Sequence, residues 1–456
     1  MVPAAEWWGR RGVRWALIAL AAVGAAVLVV RGVWPALALG PGGNGDFALV
    51  YACARVWLDG GNPYDPGTVN EVWDRLVGPG AQFHHVKERG PVLLYPPSAL
   101  AVSAPFAALP WGVASLAWTL LNLGTGAAAV WAVGRLAGLS AGSRGGWLVL
   151  IAGALWLAPF ATAIKFGQTP VLVLCLVAAG LLARAGGRPV VAGVLLGAAM
   201  AIKPQLAGLF VVYEAGRGRW NVALAAGLTA AALFAAGAGR MELAEGARGW
   251  WESWMTQLRE FPLRGDANPT RESDMRHQML NLHYPLHTLI WSRETVRWLV
   301  YAIMGALCAA YFIADWRRGR ERGEGRAELA SLSMVSVVTL LVVYHRAYDA
   351  VLLVFAWALA ARLAMEPSRT ARRAGWAMVV LLLGFALPWG AALLKLHLSG
   401  RAPEWVKTSL WWELGVMPAQ VWALATMAVL LVWMRATLPR EGEGPRVPRA
   451  PRGGTA

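Results

Sequence analysis

The chain has 456 residues, of which 57% are hydrophobic and only 15% are charged, and its formal net charge is +16. A soluble domain carries nearer a quarter charged residues, because its surface must be wetted, so the composition excludes an ordinary soluble globular protein. The basic residues form short clusters between apolar runs, which is typical of membrane topology signals and not of a nucleic-acid-binding surface. Apolar runs about as long as a bilayer is thick predict an all-α, polytopic transmembrane helical bundle of about 10–12 membrane helices, some of them short, broken or re-entrant.

The first predicted span lies at 15–36 and runs outward from a cytoplasmic N-terminus. A polar stretch at 40–92 follows on the outer side. Residues 93–109 form a short apolar piece, interrupted by Tyr95-Pro96-Pro97, that we expect either to lie at the membrane interface or to dip into the membrane. Further spans are predicted at 111–134, 146–163 and 169–185. Their orientation follows from the rule that short loops rich in Lys and Arg remain in the cytoplasm.

The segment 190–215 has the length of one span, yet the basic residues on both of its flanks are typical of the cytoplasmic side. Lys203-Pro204 lies at its centre. Proline interrupts helical hydrogen bonding, and a lysine at mid-membrane depth is unfavourable unless it faces a wet cavity. Two short helices that meet at Lys203-Pro204 near the outer face satisfy both constraints, and this is our prediction.

With that arrangement, every later basic loop falls on the cytoplasmic side. The remaining predicted spans are 220–238, 297–315, 329–344, 350–365, 374–392 and 416–435. The loop 240–296 is then outside and the loop 316–328 inside. The sequence thus predicts one transmembrane domain at 1–436 with outer loops at 40–92 and 240–296, followed by a disordered cytoplasmic tail at 437–456 that is rich in Pro, Gly and Arg. The expected location is the cell (inner) membrane.

This topology places unusual polar residues on or near the outer face, where segments distant in sequence could converge on one cavity. They are Asp46, His84, His85, Lys165, Gln168, His277, His283, His287, His345 and Asp349. Taken singly, each has an ordinary interpretation. Asp46 follows Gly-Gly-Asn-Gly and could cap a helix, while Lys165 and Gln168 could lie at the membrane interface. The histidines share no ligand spacing with a carboxylate or cysteine, so no metal site is expected.

Several motifs occur in a characteristic order along the chain. They are Asp46-Phe47, Gly60-Gly61-Asn62-Pro63-Tyr64-Asp65, Tyr95-Pro96-Pro97, Gly167-Gln168-Thr169-Pro170, Ala192-Gly193, Ala201-Ile202-Lys203-Pro204-Gln205 and Tyr344-His345-Arg346-Ala347-Tyr348-Asp349. Over residues 40–360 this order resembles glycosyltransferase family 87. That family comprises polyprenyl-phosphate-sugar-dependent membrane enzymes, including actinobacterial mannosyl- and arabinofuranosyltransferases. The resemblance implies the membrane fold class called GT-C.

The resemblance also implies an activity. The protein would move a sugar, mannose or another hexose or pentose, from a polyprenyl-phosphate donor to a lipid or glycan acceptor on the outer face, with inversion. By similarity, Asp46 is the general base that removes the acceptor proton. The leaving phosphate calls for cations and hydrogen-bond donors, for which Lys203, His345 and Arg346 are the candidates, and Gln168 would bind sugar or phosphate. No metal or other cofactor is expected, and nucleic acid is not expected as a partner.

Two other function classes would account for part of the pattern. A transporter or flippase of lipid-linked sugars would share the broken helix and the buried Lys203. It would not need a carboxylate at the start of the first outer loop, and such proteins often consist of repeated halves, which this sequence does not display. A structural membrane scaffold would leave the polar outer residues unexplained. The sequence therefore favours the enzyme.

Overall fold

A computed structural model of the protein describes residues 11–38, 44–77, 93–263, 268–317, 325–387, 389–401 and 403–438. These residues are predominantly helical, and their β-type pairing is limited to one isolated antiparallel bridge between Met279 and Arg346. The predicted all-α class is therefore confirmed. The histidines at 84 and 85 and residues 439–456 of the predicted tail lie outside the described residues, so those predictions remain untested.

The α-helices are numbered in chain order. They are α1 (Arg11–Leu28), α2 (Trp34–Leu37), α3 (Gly45–Leu58), α4 (Pro66–Val77), α5 (Pro97–Ala107), α6 (Trp111–Leu136), α7 (Arg144–Trp156), α8 (Ala158–Phe166), α9 (Pro170–Ala185), α10 (Pro189–Ile202), α11 (Pro204–Gly216), α12 (Trp220–Glu242), α13 (Trp250–Glu260), α14 (His283–His287), α15 (Arg293–Arg317), α16 (Arg326–Val342), α17 (Val354–Ala364), α18 (Arg369–Leu383), α19 (Trp389–Leu398), α20 (Glu404–Lys407) and α21 (Ala419–Thr437). Short π-helices occupy Val29–Val33 and Trp412–Val416, and 3₁₀ turns occupy Glu245–Ala247, Phe261–Leu263, Asp274–Gln278 and Ala347–Leu353.

Six helical segments in the described part of the chain are long and apolar enough to cross a membrane. They are Arg11–Leu37, Trp111–Leu136, Trp220–Glu242, Arg293–Arg317, Ala347–Ala364 and Ala419–Thr437. The number becomes seven if α7 and α8, which are bent by 53°, cross as one broken span. The predicted spans 169–185 and 329–344 are present as α9 and α16, with 16 and 17 residues. The polytopic bundle is confirmed.

Four predicted segments differ in detail. The predicted straight span 146–163 is bent after α7, because Pro159 starts a new helix and cannot donate a backbone hydrogen bond to the preceding turn. The predicted span 374–392 is divided between α18 and α19. The predicted outer segments 40–92 and 240–296 contain helices of their own, notably α3, α4 and α13.

The break predicted at Lys203-Pro204 is confirmed, since α10 ends at Ile202 and α11 begins at Pro204. A residue that precedes proline is sterically kept out of the α region, and Lys203 accordingly has φ −145° and ψ 82°. Proline is favoured in the first turn of a helix, where its missing N–H is not needed. The local sequence thus dictates both the break and the position of Lys203 at the junction.

Close contact between α10 and α12 depends on two glycines one helical turn apart. A Cβ atom built on Gly193 would lie 2.4 Å from Ala225 Cβ, and one built on Gly197 would lie 2.4 Å from the Ala226 carbonyl oxygen. Small residues at such a spacing let the backbones of membrane helices approach closely. This packing fixes α10, and with it the Lys203 junction, against the bundle.

Arginines from several elements lie together at one end of the bundle, which we term the arginine end. Buried or partly buried ion pairs hold it together: Arg184–Glu328 at 2.7 Å, Arg217–Asp315 at 2.8 Å, Arg435–Asp315 at 2.7 Å and Arg219–Glu214 at 3.1 Å. The connecting helices separate these pairs from Lys203. For example, α9 runs from Pro170 to Ala185 and is about 24 Å long at 1.5 Å per residue.

Candidate functional site

The site lies at the end of the bundle opposite the arginine end, and its first element is the beginning of α3. Asn44 precedes this helix in a left-handed conformation with φ 50°. Its side chain donates hydrogen bonds to Ser115 Oγ at 2.7 Å and Thr119 Oγ1 at 3.1 Å on α6. Its backbone N–H donates to the Lys165 carbonyl at 3.2 Å. These contacts fix the first turn of α3 against α6 and the end of α8.

Asp46 lies in that first turn and is paired with Gln168. Gln168 Nε2 donates to Asp46 Oδ2 at 2.5 Å. Asp46 does not cap α3, because Asn44 occupies the N-cap position and no side-chain cap hydrogen bond forms there. Gly167 makes the pairing possible. Its φ is +64°, and an added Cβ would lie 2.5 Å from Phe47 Cβ, so a larger residue could not bring the two segments this close.

Tyr95 extends this pair into a hydrogen-bonded group. Its hydroxyl donates to Gln168 Oε1 at 3.0 Å and lies 3.1 Å from Thr169 Oγ1. The Gly60–Asp65 motif supports it from behind, since the Tyr64 hydroxyl donates to the Tyr95 carbonyl at 3.0 Å. Gln168 is therefore held from both ends of its amide, with its N–H₂ group directed at Asp46.

The second part of the site is centred on Asp349, which is 2% exposed. Lys203 Nζ donates to Asp349 Oδ1 at 2.6 Å. His345 Nδ1 lies 2.9 Å from Asp349 Oδ2, and the backbone N–H of Arg346 donates to the same oxygen at 3.4 Å. The 3₁₀ turn at Ala347–Leu353 places His345 and Asp349 four residues apart on one side of the chain. A buried lysine and a buried carboxylate thus satisfy each other, as such charges must.

Two tyrosines connect the halves of the site. The Tyr95 hydroxyl is within electrostatic range of Lys203, Asp349 and Asp46. Lys203 Nζ lies over the Tyr348 ring, 5.1 Å from its centroid, and Tyr348 is within electrostatic range of Asp46 as well. We refer to Asp46, Gln168, Tyr95, Lys203, Tyr348, Asp349 and His345 together as the Asp46–Lys203 network.

His345 is fully buried, and its Nε2 atom has no hydrogen-bond partner among the described residues. A carboxylate only accepts hydrogen bonds, so Nδ1 carries the proton in the contact with Asp349. Nε2 is therefore a free acceptor in the neutral ring and a free donor in the imidazolium form. A buried polar atom without a partner is unfavourable, and its presence here is expected where a ligand supplies the missing partner.

The network includes four of the five predicted site residues: Asp46, Gln168, Lys203 and His345. The fifth, Arg346, turns its side chain toward Tyr344, where Nε donates to the hydroxyl at 2.6 Å. The sequence analysis did not select Asp349, Tyr95, Tyr348 or Thr169 as site residues, although all four occur in the motifs. Two features of the sequence could have indicated Asp349. It lies four residues after His345, and the buried Lys203 needs a carboxylate partner.

Two other polar residues predicted near the outer face, Lys165 and His277, lie in different places. Lys165 lies next to the network through its backbone carbonyl, and its ammonium contacts the Phe166 ring. His277 and His397 belong to a separate cluster with Glu413, in which one ligand atom from each residue lies within 4.8 Å of the others. Sequence spacing could not indicate this cluster, because its members come from the 3₁₀ turn at Asp274–Gln278, from α19 and from the π-helix at Trp412–Val416.

Comparison with known proteins gives one match. The sequence model of glycosyltransferase family 87 matches residues 93–343, which is more than half of the chain. The matched range contains Tyr95, Gln168 and Lys203; His345 and Asp349 lie shortly after its end, and Asp46 lies 47 residues before its beginning. No curated protein and no solved structure matches the chain.

Proposed function

The chain belongs to glycosyltransferase family 87, and is thus a membrane glycosyltransferase, and from this premise we propose that it transfers a sugar from a polyprenyl-phosphate donor to a lipid or glycan acceptor. We place the reaction at the Asp46–Lys203 network and on the outer face of the cell membrane, with inversion at the transferred sugar. One observation carries the proposal. The half-buried carboxylate of Asp46 and the buried pair of Lys203 and His345 belong to one network, in which Gln168 and Tyr95 lie between them.

Asp46 has the role of general base. The acceptor hydroxyl oxygen forms a bond to the anomeric carbon, and its proton passes to Asp46, while the bond from that carbon to the phosphate oxygen breaks. The polyprenyl phosphate leaves with the electron pair. Gln168 donates to one oxygen of Asp46, which orients the other oxygen for the acceptor. An oriented carboxylate reduces the rearrangement needed at the moment of proton transfer.

Lys203 and His345 have the role of stabilising the charge that develops on the leaving phosphate. An ammonium has three N–H donors, and the described residues engage one of those of Lys203 through Asp349. His345 can donate from Nε2 once it is protonated, and Asp349 stabilises that imidazolium through Nδ1. Fixed donors aimed at developing charge in a water-poor site are effective because they need little reorganisation. Asp349 orients both groups.

The substitution Asp46→Asn tests the base. Asparagine preserves size and can still contact Gln168, so we expect the protein to insert, fold and bind the donor lipid. Transfer should fall by roughly a hundredfold or more, since general-base catalysis contributes about 10²–10⁴. Proteoliposomes with a panel of radiolabelled polyprenyl-phosphate sugars measure transfer, and flotation with the same lipids measures donor binding.

The matched control is Asp59→Asn, which changes an exposed aspartate at the other end of α3. It should transfer at the wild-type rate. Near-normal turnover in the Asp46→Asn protein would remove Asp46 from the mechanism. Movement of the labelled lipid across the bilayer without formation of a glycosylated product would instead support a transporter or flippase.

A further inference from the structure

A cavity of about 570 Å³ lies outside the Asp46–Lys203 network, and none of its lining residues belongs to that network. It forms where the segment around the 3₁₀ turn Asp274–Gln278 meets α19, α20 and the π-helix Trp412–Val416. Its polar lining includes Arg271, Arg276, Thr288, His397, Lys407 and Glu413. The proposed glycosyltransfer chemistry does not use any of these residues.

The charged lining has a small positive excess. Arg271, Arg276 and Lys407 contribute three positive charges, and Glu404 and Glu413 contribute two negative charges, which leaves a net charge of +1. Glu404 contacts Lys407 at 2.8 Å, but its side chain is 81% exposed, so solvent screens its charge. Three charged side chains of the lining are sheltered, Arg276, Lys407 and Glu413, which are 8%, 12% and 14% exposed, so two of the three sheltered charges are positive.

Buried hydrogen-bonding groups in this lining lack partners. Arg276 contacts Glu413 through Nη2 at 2.5 Å, but its Nε and Nη1 atoms have no hydrogen-bond partner among the described residues. The Thr288 hydroxyl, on a residue 1% exposed, has no partner there either. Leaving such groups unsatisfied is unfavourable, most of all for a guanidinium. A ligand that accepts hydrogen bonds and carries negative charge would satisfy them.

The cluster of His277, His397 and Glu413 also suggests a metal ion, but two features of the geometry disfavour one. Trp412 Nε1 donates to His397 Nδ1 at 3.4 Å, so His397 Nε2 carries the hydrogen and acts as a donor instead of a ligand. The Arg276 guanidinium already occupies Glu413 and would repel a cation. Burial, with Arg276 and then His397 as smaller causes, lowers the pKa of His277 to about 3, which indicates the same unfavourable surroundings for positive charge.

We propose that this cavity binds an anionic group, a phosphate or a similar oxyanion, through Arg276, Lys407 and His397. A guanidinium with free N–H groups matches an oxyanion well, because its planar donors can form two parallel hydrogen bonds. The anion comes either from the headgroup of a membrane lipid or from a soluble phosphate compound. Both sources present the same oxygens to the site.

The first experiment measures the thermal unfolding of the purified protein in detergent as inorganic phosphate is added at constant ionic strength. We expect a saturable rise in Tm. Arg276→Gln should weaken the apparent phosphate affinity roughly ten- to a hundredfold, as expected for loss of charge-assisted hydrogen bonds. Lys407→Gln should weaken it less. Arg297→Gln is the control, since Arg297 is half-exposed and lies outside the cavity.

Arg276→Gln leaves Glu413 without its partner, so the double variant Arg276→Gln/Glu413→Gln is included as a form without an unpaired buried charge. It should fold like the wild type and still bind phosphate more weakly than the wild type does. Nanodiscs separate the two sources: loss of the phosphate response when phosphatidylglycerol replaces phosphatidylcholine supports a lipid headgroup, and its persistence supports a soluble anion. Equal phosphate affinity in the wild type and both Arg276 variants would overturn the proposal. So would stabilisation by Zn²⁺ that phosphate does not match.

Discussion

Replacement of Lys203 distinguishes a ligand for the donor phosphate from a purely structural cation, but the structure shows that one substitution is not enough. Lys203 and Asp349 are 6% and 2% exposed, and their contact distance is 2.6 Å. Lys203→Met would remove the ammonium and leave Asp349 buried with His345 and the Arg346 backbone N–H as its remaining partners. The variant would therefore be destabilised whether or not Lys203 binds phosphate.

The magnitude follows from the burial. Removing one member of a buried ion pair costs about 3–5 kcal/mol, because the other charge is left uncompensated. A folded domain is stable by only about 5–15 kcal/mol, so this is a large fraction of the total. Removing both charges is far less damaging, and Lys203→Met/Asp349→Asn should recover most of the lost stability.

The assay therefore compares Tm in detergent with sugar transfer in proteoliposomes. Lys203→Met should lose both stability and transfer. The double variant should regain the Tm and still transfer roughly ten- to a hundredfold more slowly, because a charge-assisted contact to the leaving phosphate is worth about 1.5–3 kcal/mol. Lys203→Arg should retain part of the activity. Lys395→Met, which changes an exposed lysine on α19, is the control and should behave as wild type.

Two results would refute this reasoning. A double variant that is stable and transfers sugar at the wild-type rate would mean that Lys203 does not act on the phosphate. A single Lys203→Met protein with unchanged Tm would mean that the buried pair is not coupled in the way its geometry indicates.

Three further predictions concern topology, packing and pH. In a chain whose native cysteines are replaced by alanine, Thr270→Cys should react with an impermeant thiol reagent outside intact cells and Arg322→Cys should not; the reverse pattern would overturn the proposed orientation. Gly197→Ala should lower the Tm, because its Cβ would lie 2.4 Å from the Ala226 carbonyl oxygen, whereas Gly208→Ala, with nothing within 4 Å, should not. Burial, and to a lesser extent His287, lowers the pKa of His283 from 6.5 to about 4, so the unfolded chain binds a proton there at pH values where the folded chain does not. Stability should fall as the pH drops from about 6.5 toward 4, by at most roughly 3 kcal/mol from this group, and His283→Asn should flatten the Tm profile between pH 7 and 5; unchanged slopes would contradict this.

The parts of the fold that sequence could predict are those determined locally. Apolar runs of membrane length predicted the long helices, and the break at Lys203-Pro204 followed from proline geometry alone. Hydropathy did not indicate the helices α4 and α13, because each is short and carries many polar and charged side chains, as a polar loop does. The bend between α7 and α8 was missed because the apolar run continues through Pro159 without a polar residue.

A site residue could be predicted where its type is unusual for its place in the sequence. It could not be predicted where its role depends on a tertiary contact. Lys203 was identified because a lysine in the middle of an apolar segment is unfavourable unless it has a partner or a function. Its partner Asp349 lies 146 residues away, and nothing in the local sequence links the two. The same holds for Tyr95, whose bond to Gln168 depends on how the residues that precede α5 and α9 meet. The sequence order of the motifs supplied a family resemblance, while the hydrogen bonds among them require the fold.

The carboxylates at the two ends of the bundle have different partners, and the difference bears on function. At the arginine end the buried carboxylates Glu214, Glu328 and Asp315 each contact at least one arginine, which is the arrangement that compensates desolvation. At the other end, Lys203 and Asp349 also compensate each other, but Asp46 forms no ion pair among the described residues and contacts the neutral amide of Gln168. The proposed role of Asp46 as general base fits this contact, because a carboxylate bound to a neutral donor does not serve to balance a cation and can face the acceptor hydroxyl.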